Sequence, residues 1–274
     1  MPHIILVMVL FGVDLDNTLI YSYRHEIGEK KRCVEKYRGK DASFMTDRTW
    51  ELLREVSRNA LVVPVTTRSV EQYERVELGI GRLSYALTCN GGVLLTEGRE
   101  ETDWYADSLE SIRESREELE KAEKIMGSDP NRCFDVRKVR ELFLFTKSGD
   151  IEASVNRLKE SLNGSLLDVI GSGGKVYVMP KELTKGNAVM RLRDRLKAEK
   201  AIAAGDSGLD IPMLRHADVA IAPAGLEVGR TQGRLIRIGN DVLFSEEMLG
   251  HVLQLLSGGW AQTVQSGCGN PLRV

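Results

Sequence analysis

The chain has 274 residues, 42% of them hydrophobic and 28% charged, with a formal net charge of −2. That length carries one sizeable hydrophobic core and leaves room for a smaller inserted unit, and the balance of residue types excludes a disordered chain. The near-neutral charge supplies no field to attract nucleic acid or a membrane surface.

Residues 4–13 (IILVMVLFGV) form a near-continuous apolar run, the pattern of a strand covered on both faces in a parallel sheet. The run is too short to span a bilayer and lacks the basic leader of a signal peptide, so a cytoplasmic protein is expected. A long excursion over residues 19–45 follows. It carries Arg24, His25, Lys30, Lys31, Arg32, Lys36, Arg38 and Lys40, with Glu26, Glu29, Glu35 and Asp41 interleaved. Gly28-Glu29 and the flanking Tyr21, Tyr23, Val34 and Tyr37 predict a β-hairpin flap, either solvated or a basic lip for an anionic substrate. Next come a helix at 46–58, a strand at Leu61–Val65, a helix over 70–77 capped by Ser69, and a strand at 84–88.

Asn90-Gly91-Gly92 is a strong break, followed by a short strand at 93–95. Apolar positions over 107–126 predict one helix. A strand at 140–146, a helix near 151–162 and strands around 166–170 and 175–179 complete a stretch of different character. Residues 96–182 are therefore assigned to an inserted α+β domain, and 1–95 with 183–274 to the core. The runs Ala201–Ala204 and Val219–Ala222 return to the core as buried strands. Strands alternating with helices predict an α/β fold with a doubly wound, Rossmann-like parallel sheet, whose ligands lie beyond the carboxyl ends of the strands. The tail from Gly258 to Val274 is expected to be irregular. Cys33, Cys89, Cys133 and Cys268 lie far apart with no histidine at ligand spacing, which predicts reduced thiols rather than a zinc site or disulfides.

The chemistry concentrates at strand ends. Asp14-Leu15-Asp16-Asn17-Thr18 leaves the first strand with two carboxylates at i and i+2. Like charges this close repel unless a cation sits between them, and an all-oxygen ligand set favours magnesium. Alone, the pair also reads as an acidic turn. Gly205-Asp206-Ser207-Gly208-Leu209-Asp210 places a second acidic pair after another apolar strand, at a helix N-terminus that accommodates carboxylates. Thr66-Thr67-Arg68-Ser69 offers hydroxyls and backbone N–H groups at a helix start, an anion cradle or an ordinary cap. Lys185, in Lys185-Gly186-Asn187, is a cation at a helix entrance that could neutralise a phosphoryl group or simply be solvated.

Taken in order, Asp14-x-Asp16-x-Thr18, Thr66, Lys185 and Gly205-Asp206-x-x-x-Asp210 resemble the four motifs of the haloacid dehalogenase-like superfamily. The insertion resembles the α/β cap of its Cof-type, sucrose-phosphatase-like branch, opened by Asn90-Gly91-Gly92. The resemblance spans roughly residues 9–225. It implies a magnesium-dependent phosphatase acting on a small phosphorylated metabolite, such as a sugar phosphate. Asp14 would be the nucleophile and Asp16 the acid and base; Thr66 and Lys185 would hold the phosphoryl oxygens. Asp14, Asp16, Asp206 and Asp210 would form or support the metal site, and Arg68 and Asn90 would contact substrate. A phosphomutase or phosphotransferase, or a degenerate phosphate-binding module, are the alternatives; the oligomeric state is open.

Three positions depart from that pattern. Asn17 stands where the branch usually has Gly, Thr67 replaces the Gly of Thr-Gly-Arg, and Leu209 replaces the Asn of Gly-Asp-x-x-Asn-Asp. Leu209 is the most serious, since it removes a polar group from the edge of the site; Leu209→Asn would raise turnover if a donor is simply missing, and only cost stability if Leu209 packs.

Overall fold

The computed structural model describes residues 8–259. The first part of the predicted 4–13 strand, the tail beyond 259 and Cys268 lie outside the described residues. Five parallel strands form the central sheet in the order Arg234–Ile238, Val219–Pro223, Lys200–Ala204, Val9–Val13 and Leu61–Pro64. The Val9–Val13 strand is buried along its whole length, as its unbroken apolar sequence requires. Its side chains alternate between two layers. Phe11 and Val13 pack with Leu53, Val56, Met248, Leu249 and Val252 of helices Asp47–Asn59 and Phe244–Gln254. Leu10 packs the other way, with Val189, Leu192, Met213 and Leu214 of helices Lys185–Leu196 and Ile211–His216. Each such fully buried aliphatic side chain contributes about 1.5–3 kcal/mol. The edge strand Arg234–Ile238 and the last helix carry too little pattern to have been anticipated.

The inserted segment builds a four-stranded antiparallel sheet in the order Leu167–Ser172, Lys175–Pro180, Phe143–Lys147, Arg137–Val139. Val176 and Val178 face helices Arg116–Gly127 and Ile151–Ser161 through Leu119, Ala122 and Leu158. Tyr177 and Met179, of opposite parity, face the core with Phe143, Cys89 and Leu209. Asn90, in a left-handed conformation with φ 59°, donates from its amide to the Leu183 carbonyl at 2.7 Å, tying the chain entering this segment to the chain leaving it. At Gly91 a Cβ would fall 2.3 Å from that of Ala188, so only glycine admits the helix there.

Three sequence expectations change. The predicted helix over 107–126 is two helices, Thr102–Ser111 and Arg116–Gly127, separated by a 3₁₀ turn at Arg113–Ser115. The reason is that its apolar residues serve different cores: Trp104 packs against the central sheet and Leu119 against the inserted one, which one straight helix does not reach. The helix expected over 70–77 stops at Tyr73, because the Glu77 N–H is taken by the Val34 carbonyl of the flap at 2.7 Å. The 84–88 strand exists as Tyr85–Thr88 but pairs antiparallel with Val93–Thr96, and joins the edge of the central sheet by the bridge Val65–Leu87. The flap is a hairpin as expected, Lys31–Tyr37 against Lys40–Thr46, with Tyr21–Ser22 as its third strand.

Candidate active site

Strand register alone gathers the acidic motifs. Val13 lies opposite both Ala204 and Pro64, so the residues that follow each strand emerge at one sheet edge. The Asp14 N–H bonds the Ala204 carbonyl at 3.0 Å, and Val65 N–H the Val13 carbonyl at 2.8 Å. After Asp14 the chain closes a tight turn in which Thr18, Leu19 and Ile20 all donate to the Leu15 carbonyl. Asn17 has φ 61° there, a conformation that glycine and asparagine share, which explains that departure. Gly205 is required because a Cβ would sit 2.4 Å from the Asp210 side chain.

Lys185 is the pivot. It begins its helix, where a positive charge opposes the helix dipole, and it is only 2% exposed. Two carboxylates offset that cost: its Nζ donates to Asp14 Oδ1 at 2.5 Å and to Asp210 Oδ1 at 2.6 Å. Burial alone would lower the Lys185 pKa, but Asp14 and Asp210 hold it well above the usual range. Asp210 accepts on its other oxygen from the Ser207 N–H and hydroxyl at 2.9 and 2.8 Å, so both of its oxygens are engaged behind Lys185. Asp206 accepts from the Thr18 hydroxyl at 3.1 Å.

Asp14, Asp206 and Asp210 offer oxygens within 4.8 Å of one another. With Lys185 as the cation between them, two negative charges remain uncompensated. Burial, reinforced by the neighbouring carboxylates, pushes Asp14 well above the usual carboxylate range against the pull of Lys185, and burial together with Asp210 pushes Asp206 up to about 6. An all-oxygen cluster short of positive charge fits a hard divalent cation. Because Asp14 and Asp206 line the crevice and Asp210 does not, the first two are the residues that could hold the ion.

Asp16 stands apart from this cluster. Its carboxylate is gripped by Arg68, Nη2 to Oδ1 at 2.7 Å and Nε to Oδ2 at 2.8 Å. Burial would raise its pKa, but the hydrogen bonds and charge of Arg68 lower it, keeping Asp16 ionised. Arg68 is in turn held by Glu35 of the flap, Nη1 to Oε2 at 3.0 Å, and Glu35 also accepts from Arg75 at 3.2 Å and from the Ser43 hydroxyl at 2.7 Å. The flap therefore presents a buried carboxylate to the crevice rather than a basic lip. Glu35 was missed in the sequence, where it is one charge among many in an alternating hairpin.

These groups line a crevice of about 400 Å³, walled by Asp14, Asp16, Thr67, Arg68, Lys185 and Asp206 from the core and by Phe145, Lys175 and Tyr177 from the inserted sheet. Thr66 is buried just behind, its hydroxyl accepting from the Arg68 N–H at 3.1 Å. Asn90, expected to contact substrate, is buried away from this wall and serves the Leu183 carbonyl instead. Leu209 lines the edge of the crevice but lies in an apolar cluster with Val70, Cys89, Leu142, Tyr177 and Leu183, at the seam between the two sheets. Packing thus accounts for that departure. Leu209→Asn is expected to lower the melting temperature, at a cost of about 1–3 kcal/mol for the unpartnered amide beyond the lost burial, without raising kcat. A several-fold rise in kcat would show that a donor is missing after all.

Comparison with known proteins agrees with this geometry. Residues 98–224 match the family model for haloacid dehalogenase-like hydrolases, a span that includes Lys185, Asp206 and Asp210 but not Asp14. A phosphoglycolate phosphatase from Methanopyrus kandleri is 25% identical over 178 residues, covering 63% of this chain and 73% of the relative. Sucrose-phosphatase from Synechocystis sp. PCC6803, solved with sucrose and phosphate, superposes with a TM-score of 0.59 at 18% identity, over 90% of this chain and 98% of that one. An IMP-bound IMP-nucleotidase from Plasmodium falciparum gives 0.57 at 14% identity, over 92% and 68% of the two chains. These last two share its fold. Over residues 98–224 the chain is thus similar to haloacid dehalogenase-like hydrolases, and its fold is shared with the sucrose-phosphatase.

Proposed function

We propose that this protein is a divalent-cation-dependent phosphatase that transfers a phosphoryl group from a small phosphorylated metabolite to Asp14 and then to water. The observation that carries the reading is the buried Lys185 ammonium clasped between Asp14 and Asp210 at the floor of the crevice. A carboxylate so placed is positioned as a nucleophile, and the lysine that orients it also meets the incoming anion. The phosphatase names of the Methanopyrus and Synechocystis proteins support the same class.

In the first step an Asp14 oxygen bonds to phosphorus, the bond to the leaving oxygen breaks, and Asp16 supplies the proton that the departing alcohol takes. In the second, Asp16 removes a proton from water as the water oxygen bonds to phosphorus, freeing Asp14 and inorganic phosphate. Lys185 neutralises phosphoryl oxygens, and the Thr66 segment contributes its hydroxyl and backbone donors. A magnesium ion on Asp14 and Asp206 would supply the further positive charge that a phosphoryl dianion needs beside carboxylates. Arg68 keeps Asp16 ionised in the resting state, which suits the base role; the acid role requires that substrate loosen this clasp and that Asp16 take up a proton from solvent before the first step. Inserted residues 96–182 act as the cap, bringing the Phe145–Tyr177 face over the crevice.

Hydrolysis of p-nitrophenyl phosphate tests the reading. Turnover is expected with magnesium, lost on chelation, and restored better by magnesium than by calcium, whose looser coordination disturbs in-line geometry. Undiminished activity in metal-free protein would overturn the role given to Asp14 and Asp206.

A further inference from the structure

Three of the four cations lining the crevice are committed to carboxylates. Lys185 serves Asp14 and Asp210, Arg68 serves Asp16 and Glu35, and Arg75 serves Glu35. Lys175 is different: among the described residues it forms no ion pair, yet it lines the same crevice. Its position follows from strand parity. Lys175 is the first residue of the Lys175–Pro180 strand and shares the face of Tyr177, which looks toward the core, whereas Val176 and Val178 face the helices.

The ammonium does not hang free. Its Nζ lies 5.3 Å from the Phe145 ring centroid and 5.8 Å from that of Tyr177, and those two rings pair across the strands in register. Such a platform holds the cation without neutralising it and restricts the rotamers of a flexible side chain. Its charge is felt at Asp16, across the crevice from the cap. The hairpin turn beside it, Gly173-Gly174 at φ 57° and 79°, leaves open space where side chains would stand. Two of the polar side chains in the crevice are already engaged: Gln72 caps Ser69, and the Ser22 hydroxyl pairs with His25.

We propose that Lys175, propped on Phe145 and Tyr177, is the specificity-determining residue of a second anion subsite. The preferred substrates are then short phosphorylated acids that carry a carboxylate or a second phosphate a few atoms from the transferred phosphoryl group. The inference rests on the phosphatase reading above and narrows its substrate class. Lys185 and Lys175 line the same crevice of about 400 Å³, so each can meet one anion of such a substrate.

The test is kcat/KM for phosphoglycolate, a sugar bisphosphate, ethyl phosphate and glucose 6-phosphate, with wild type, Lys175→Met and Lys175→Arg. Methionine keeps an apolar stem on the rings and removes the charge. Wild type is expected to favour one of the two doubly anionic compounds over ethyl phosphate, and which one names the second anion. Lys175→Met should shrink that preference about 10- to 100-fold, the value of one charge-assisted hydrogen bond, and Lys175→Arg should recover much of it. A preference ratio unchanged by Lys175→Met, or a wild type that favours glucose 6-phosphate, overturns the subsite. A wild type inert toward every compound overturns the phosphatase reading instead. The subsite is then judged by calorimetry, in which wild type must bind phosphoglycolate more tightly than ethyl phosphate and Lys175→Met must remove the difference.

Discussion

Asp14→Asn is expected to lose at least about 10⁴-fold in kcat while keeping its fold, since an amide supplies no anionic nucleophile and removal of a nucleophile disables the whole catalytic unit. The same change should leave stability nearly intact. Burial holds the Asp14 pKa well above the usual range, so the folded protein disfavours the charge that asparagine lacks. The amide oxygen can still accept from Lys185, which retains Asp210 as a charged partner. Kinetics and thermal melting on one preparation check both halves. Activity within tenfold of wild type, with deamidation excluded by mass, would remove Asp14 from the nucleophile role.

Lys185→Met is expected to fail on both counts. It strips the cation from Asp14 and from Asp210, which is fully buried, and breaking a buried pair by removing one partner costs about 3–5 kcal/mol. It also removes a preorganised donor for phosphoryl oxygens, worth about 10²–10³-fold in kcat. The melting temperature should therefore drop by many degrees and the residual enzyme be slow. A variant with wild-type melting behaviour and a loss under tenfold would mean that Lys185 neither holds the carboxylates nor meets the substrate.

The two mutations bear on the part of the site that was legible in the chain. Asp14, Thr66, Asp206 and Asp210 follow buried strands or open helices, and in a parallel sheet those positions share one edge whatever the loops do. Knowing the strands was nearly enough to place them. Lys185 by itself read equally well as a solvated cation, and only its place in the order of the four motifs singled it out.

What escaped depended on contacts between distant segments. Glu35 sits on a hairpin whose register shifts on both sides of it, so alternation gives no guide to which face it takes. Asn90 has the residue type of a substrate contact, but its amide N–H donates to the Leu183 carbonyl, joining the two chain crossings. The split near Ile112 arises because successive turns belong to different cores, a fact that helical periodicity does not contain. The clasp of Arg68 on both carboxylate oxygens of Asp16, 52 residues away, is another contact that spacing does not contain.

Passage of phosphate through Asp14 is checked by trapping the enzyme in acid during turnover with magnesium and a phosphorylated substrate. A peptide spanning Asp14 is expected to be heavier by one phosphoryl group, with fragmentation placing it on Asp14 and hydroxylamine removing it. No such peptide is expected from Asp14→Asn. Rapid turnover with an unmodified peptide, or a phosphoryl group found on a different residue, would contradict that passage.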